Sequence, residues 1–242
     1  MTDRPRVAVF RPDDGRLADA VETLEGLGAE PLADPLLEIE PTGARPRGDA
    51  DSVVLTSKTG AELVGDAGWD PGEAAVCAIG ATTAAALEAA GYPVDVVPEE
   101  FTSAGLVERL RDDVDGARVE VARSDHGSAV LLDGLEDAGA YVHETVLYRL
   151  ARPSGAGAAV EAAIAGDLDA ALFTSSLTVE HFLGIAAERG ERAAALAGLA
   201  DAVVGAIGEP TAETAADEGL AVDVVAETAA FEALAAAALE HV

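Results

Sequence analysis

Lysine is almost missing from these 242 residues: Lys58 stands alone, and the other fourteen basic side chains are arginines against 45 acidic ones, for a formal charge of −30. A field of that sign repels phosphate backbones and argues against nucleic acid as a partner. The acids are spread along the chain instead of massed in a tail, and they make a surface of the kind found in salt-loving cells, where dissolved ions screen self-repulsion. Cysteine is equally scarce. Cys77 by itself can form neither an internal disulfide nor a cysteine metal cluster, and its place in a strand-like run makes it a buried small residue. The four histidines, His126, His143, His181 and His241, show no paired ligand spacing, so no metal is expected. The glycine turns have neither the lysine spacing of a phosphate-binding P-loop nor a GxGxxG, so no cofactor is expected either. No apolar run approaches the roughly 20 residues of a membrane span. Met1-Thr2-Asp3-Arg4-Pro5-Arg6 leads straight into Val7-Ala8-Val9-Phe10 without a signal-peptide core, and the expected location is the cytoplasm.

Aromatics are few as well, five Phe, three Tyr and one Trp, although half of the residues are apolar. A core of Ala, Val and Leu suits helices packed on parallel strands. What the chain does contain is a repeat. Val76, Ala78, Ile79, Gly80, Thr83, Ala84, Gly91 and Val94-Asp95-Val96-Val97 recur 128 positions later as Val204, Ala206, Ile207, Gly208, Thr211, Ala212, Gly219 and Val222-Asp223-Val224-Val225. A second echo relates Arg6-Val7-Ala8-Val9-Phe10-Arg11 to Arg118-Val119-Glu120-Val121-Ala122-Arg123. Repeats this far apart mean two similar domains and not a solenoid.

Each half opens with a strand and a loop, followed by an amphipathic helix with Leu17, Val21 and Leu24, or Leu131, Leu135 and Ala138, on its apolar face. Each of these helices stops at a Gly-Ala pair, Gly28-Ala29 and Gly139-Ala140. The extended stretches Pro35–Glu40 and Val142–Arg149 are the expected connections between domains. Alternating strand and helix predicts an α/β fold of two doubly wound parallel sheets.

In such sheets ligands bind beyond the carboxyl ends of the strands. Hydroxyl and glycine loops fall at those ends: Thr56-Ser57-Lys58, Gly80-Ala81-Thr82-Thr83, Phe101-Thr102-Ser103, Thr174-Ser175-Ser176 and Gly208-Glu209-Pro210-Thr211. Helix N-termini there offer free backbone N–H groups to carboxylates or phosphates, while the same Ser and Thr also serve as ordinary caps. Arg11, Arg123 with Ser124, Arg149 and Lys58 are the best-placed cations for an anionic ligand, in a cleft expected between the domains. Ser124-Asp125-His126 is no triad, since triads are recognised by geometry and not adjacency. Tyr148, near the end of a linking strand, could donate a proton at the mouth of that cleft, or simply close the edge of a core.

Taken together, the strand-Thr-Ser pair, the Ala-Ile-Gly-x-x-Thr-Ala turn, the Gly-x-x-Val-Asp-Val-Val segment, Phe101-Thr102-Ser103 with Leu106-Val107, and Val146-Leu147-Tyr148-Arg149 resemble the uroporphyrinogen-III synthase family over nearly the whole chain. The resemblance implies two flavodoxin-like domains joined by a two-stranded linker, one made from both chain ends, residues 1–38 with 151–242, and the other, residues 39–150, inserted. It implies a cofactor-free monomer that converts hydroxymethylbilane, a tetrapyrrole with eight carboxylates, into uroporphyrinogen III with inversion of ring D and loss of water. Tyr148 aligns with the family's tyrosine, thought to assist departure of the hydroxyl. Glu209 and Ala229-Ala230 depart from the pattern, an acid and two methyls standing where hydroxyl or neutral contacts are expected. A cytoplasmic two-domain sensor of a small anionic metabolite uses the same scaffold and is the other reading.

Overall fold

The computed structural model describes residues 4–242; Met1–Asp3, read above as the run-in to the first strand, lie outside the described residues. The chain runs through β1 (Arg6–Val9), α1 (Gly15–Gly26), β2 (Glu30–Ala33), β3 (Glu38–Pro41), β4 (Ser52–Leu55), α2 (Lys58–Asp66), β5 (Ala75–Ala78), α3 (Ala81–Ala89) and α4 (Ser103–Leu110). It continues through β6 (Arg118–Ser124), α5 (Ala129–Asp137), β7 (Tyr141–Ala151), α6 (Ala158–Ala165), β8 (Ala170–Phe173), α7 (Ser176–Glu188), α8 (Arg192–Leu199), β9 (Val203–Ala206), α9 (Glu209–Asp217), β10 (Val224–Val225) and α10 (Phe231–Leu239). Two compact units result, one from the chain ends up to Glu38 and from Ala151 onward, the other from Ile39–Leu150.

In the first unit the strand order is β10-β9-β8-β1-β2, and the pairs are parallel. Numbered within the unit this is the 2-1-3-4-5 order of flavodoxin-like sheets. The second sheet runs β3-β7-β6-β4-β5, with β7-β6, β6-β4 and β4-β5 parallel and Val96 bridging Cys77 beyond β5. Strand for strand, β7, β6, β4, β5 and Val96 stand where β2, β1, β8, β9 and β10 stand in the first unit. The two sequence copies have thus exchanged parts: the leading strand pair of each lies in the sheet completed by the other. The chain passes between units within β3 and at the end of β7, which are neighbours in the second sheet, Thr42 N–H donating to Leu147 O at 2.9 Å.

Strand residues alternate between two covered faces, as parallel sheets require. In the first unit Ala8, Phe10, Ala171 and Phe173 face α6–α9, with Phe10, Phe173 and Phe182 in ring contact at 4.7–5.7 Å, while Val7, Val9 and Leu172 face α1 and α10. In the second, Val53 and Leu55 pack with α2 and α3, and Val54, Cys77 and Val121 with α4 and α5. Leu17, Leu24, Leu131 and Leu135 are buried as their spacing predicts, Ala20 joining them where Val21 is only half-buried. Gly28 and Gly139 take the left-handed φ of 86° and 92° that ends a helix.

Two expectations change. The Pro35–Glu40 stretch becomes strand only from Glu38, and the strand that pairs with β1 is the earlier Glu30–Ala33. Both Val-Asp-Val-Val segments shrink, the first to a single bridge and the second to two residues, because the aspartate side chain takes a ladder donor: Asp95 Oδ2 accepts from Val76 N–H and Asp223 Oδ2 from Val204 N–H, both at 2.8 Å.

Candidate functional site

In the second unit β4 ends at Leu55, and the chain turns through half-buried Thr56 and Ser57 into α2. Ser57 caps that helix, its Oγ accepting from Gly60 N–H at 3.0 Å. From β7 the Tyr148 hydroxyl donates to the same oxygen at 2.9 Å, although 91 positions separate the two residues. Lys58, the first helical residue, is exposed and pairs with Glu62 at 3.3 Å; it shares with Thr82 the wall of an open groove of ≈ 780 Å³ between α2 and α3. Gly80 begins α3 without a side-chain cap, and Phe101, 60% exposed, lies so close that a Cβ at position 80 would stand 3.1 Å from its ring. Thr102 caps α4 by accepting from Gly105 N–H at 3.0 Å, with Ser103 as the first helical residue. Arg149 is exposed on β7, and its side chain has neither hydrogen bond nor ion pair among the described residues.

In the first unit Arg11 follows β1 and lies over the Phe231 ring at 5.3 Å. Its burial, and after that the nearby Arg16, hold its pKa below the usual arginine value. Thr174 and Ser175 follow β8; Ser175 and Thr178 form a capping box at the start of α7, each side chain bonded to the other's backbone N–H at 3.3 Å. Ser176 Oγ donates to Pro210 O at 3.1 Å and accepts from Thr214 Oγ1 at 2.8 Å, joining the starts of α7 and α9. Gly208 begins α9 with no side-chain cap, and Glu209 lies in the first turn, where a carboxylate suits the helix dipole.

Three expected contacts point inward. Thr83 and Thr211, the third residues of α3 and α9, are 4% exposed. Arg123 is 5% exposed, its Nε donating to Glu144 Oε1 at 2.6 Å and its Nη1 to Ser128 O at 2.5 Å, so its charge is neutralised within the unit. Ser124 Oγ accepts from His126 backbone N–H at 3.4 Å, whereas the His126 ring meets Asp125 Oδ1 at 2.9 Å; the three adjacent residues make an Asp–His pair and no triad. Burial works to raise the Asp125 pKa, but hydrogen bonds from His126 and from Leu150 N–H, with the His126 charge, outweigh it and hold the carboxyl below its usual range. Among the described residues no group of His, Cys, Asp and Glu has the arrangement of a metal site, and no helix is long and apolar enough to cross a membrane. Gly60, which sequence reasoning passed over, packs beside this pair, a Cβ there standing 3.1 Å from Ser57 Oγ and 3.3 Å from Leu147 Cδ1; its only signal is a glycine in the first turn of a helix.

The family model described as uroporphyrinogen-III synthase HemD matches residues 18–236. The chain belongs to the uroporphyrinogen-III synthase family. A protein of Methanothermobacter thermautotrophicus with a provisional uroporphyrinogen-III synthase name is 34% identical over 199 residues, 76% of this chain and 78% of that one. The uroporphyrinogen-III synthase of Synechococcus elongatus is 28% identical over 209 residues, 79% of each. Among solved structures, a mutant uroporphyrinogen III synthase of the extreme thermophile Thermus thermophilus is 23% identical with a TM-score of 0.67, covering 98% of this chain and 100% of its own. The uroporphyrinogen-III synthetase of Helicobacter pylori is 15% identical with a TM-score of 0.68, covering 99% and 100%. The two structures share the fold. Uroporphyrinogen-III synthases are lyases of tetrapyrrole synthesis, and the chain is accordingly an enzyme of that class. The Tyr148–Ser57 pair, a phenol hydrogen-bonded at the carboxyl end of β4, joins β7 to the start of α2.

Proposed function

We propose that this protein cyclises hydroxymethylbilane to uroporphyrinogen III, with Tyr148 as the source of the proton that carries off the substrate hydroxyl. The observation behind this is the Tyr148 phenol, held at 2.9 Å from Ser57 Oγ beyond the end of β4 in a chain of this family. In the reaction the C–O bond of the terminal hydroxymethyl group breaks and the oxygen leaves as water. The resulting electrophilic carbon joins ring D through a spiro intermediate that inverts this ring. Loss of a ring proton on closure leaves a net loss of one water. Neither metal nor cofactor takes part.

The eight substrate carboxylates call for donors and positive potential, which the N-termini of α2, α3, α4, α7 and α9 supply through free N–H groups. Thr56, Ser57, Lys58, Gly80, Thr82, Thr102, Ser103, Ser124 and Arg149 are the contacts assigned in the second unit, and Arg11, Thr174, Ser175, Ser176 and Gly208 in the first. Gathering the substrate into the geometry that favours closure on the inverted ring is itself a large part of such catalysis. The two compact units act as the two domains, the protein works as a monomer, and its compartment is the cytoplasm, where a lone buried thiol stays reduced. Equilibrium sedimentation in high salt checks the monomer.

The assay supplies freshly generated hydroxymethylbilane, oxidises the products and separates the uroporphyrin isomers. Isomer III above the spontaneous background is the expected result, and Tyr148→Phe lowers its rate of formation by roughly 10- to 100-fold. Isomer I alone, from folded protein, would overturn the reading; an undiminished rate in the variant would remove Tyr148 from the mechanism.

A further inference from the structure

The Tyr148 hydroxyl is committed to a neighbouring side chain. The residue is 6% exposed, and its O–H ends on Ser57 Oγ, whereas Ser57 is half-buried in the loop leading into α2. A serine hydroxyl has two acceptor positions and one proton to give. On Ser57 both acceptor positions are occupied, by Gly60 N–H at 3.0 Å and by the phenol at 2.9 Å. The proton of Ser57 is what remains for an incoming group. The sense of the phenol–alcohol bond agrees with acidity, since a phenol is the stronger acid of the two.

The duplication supplies a comparison inside the same chain. Ser175 holds the corresponding place before α7, and its partner there is Thr178 in a capping box. At that third helical position α2 has Gly60. A Cβ on Gly60 would stand 3.1 Å from Ser57 Oγ and 3.3 Å from Leu147 Cδ1, so the bare glycine gives the Leu147-Tyr148 stretch of β7 room against the cap. A cap that only starts a helix has no need of that room.

We infer that Ser57 is the catalytic group that hands the proton to the departing hydroxyl, with Tyr148 behind it as the proton's source. The inference rests on the synthase reading. As the C–O bond breaks, its electron pair stays on oxygen, which takes the Ser57 proton and leaves as water. Ser57 takes the Tyr148 proton in the same movement and leaves a phenolate. The proton released from the pyrrole carbon on ring closure returns through Ser57 to Tyr148, so both residues finish as they began.

The test compares isomer III formation by the full chain and by its Ser57→Ala, Ser57→Gly, Ser57→Thr, Tyr148→Phe and Ser57→Ala/Tyr148→Phe variants, each with its melting temperature. Glycine is tolerated at a helix cap, so Ser57→Gly removes the hydroxyl with little loss of helix stability. Ser57→Ala, Ser57→Gly and Tyr148→Phe each lower kcat by about 10- to 100-fold with KM little changed, the double variant is no slower than the slower single one, and Ser57→Thr keeps most of the rate. In mixtures of H₂O and D₂O the wild-type rate bends with deuterium content, as two protons move together, and the bend is lost in Tyr148→Phe. Wild-type kcat in folded Ser57→Gly, or losses that multiply in the double variant, would overturn the relay while leaving the synthase reading in place. Isomer I alone from the wild type would overturn both.

Discussion

At position 77 a thiol is sealed between β4 and Val96, and burial, then the charge of Asp95, push its pKa up to about 12. A thiol that stays protonated and covered does not react. Native protein titrated with a chromogenic disulfide reagent at pH 8 should therefore show no free thiol, and denatured protein one per chain; fast reaction of the native form would contradict the burial. This residue was legible in the sequence because its neighbours are all apolar. Ser57 and Tyr148 were legible singly, one as a cap after a strand and the other by resemblance. Their pairing was not, because it joins positions 91 apart through a sheet whose order no local pattern reveals. Arg123 misled for a related reason: a cation near a strand end reads as outward, yet β7 beside it supplies Glu144 and the α5 turn supplies the Ser128 carbonyl.

The starts of the helices show what two copies of one element can do differently. Thr102 caps α4 with its hydroxyl, while Ala230, in extended conformation at the corresponding start of α10, has no side-chain oxygen to offer. Ala230→Ser should supply the missing acceptor and stabilise the protein by about 1 kcal/mol, within the usual range for such caps. The shift in denaturant midpoint at unchanged slope reads this out, and no shift would mean that α10 begins in another way. Helix ends were readable because Ser, Thr and Gly mark them by local chemistry. Strand limits were less so. β2 contains Pro31, which disqualifies an interior strand, but β2 is the edge of its sheet, where a missing N–H is harmless. In the Val-Asp-Val-Val segments the apolar alternation promised more ladder than forms, because no pattern shows that the aspartate will take the neighbouring strand's donor.

For the molecule as a whole, a formal charge of −30 on 242 residues favours expansion wherever it is not screened. We expect full structure only at roughly molar salt, where the screening length falls to about 3 Å. The buried Cys77 reports on this directly: its reactivity should rise as salt is diluted, together with loss of circular dichroism, and native structure in dilute buffer would refute the requirement. The alternation of strand and helix made the architecture legible, and the repeat made its doubling legible; the exchange of strand pairs shows only when the pairing is known. That exchange sets a clock. β6 and β7 close the second sheet within one continuous stretch of chain, but β1 must wait for β8, and Arg6 meets Asp169 across 163 positions. Contacts that close so long a loop form late. In refolding followed by pulsed hydrogen exchange, amides of β4 and β6 should gain protection before those of β1 and β2, so that of these strands the pair synthesised earlier is the later to find its place.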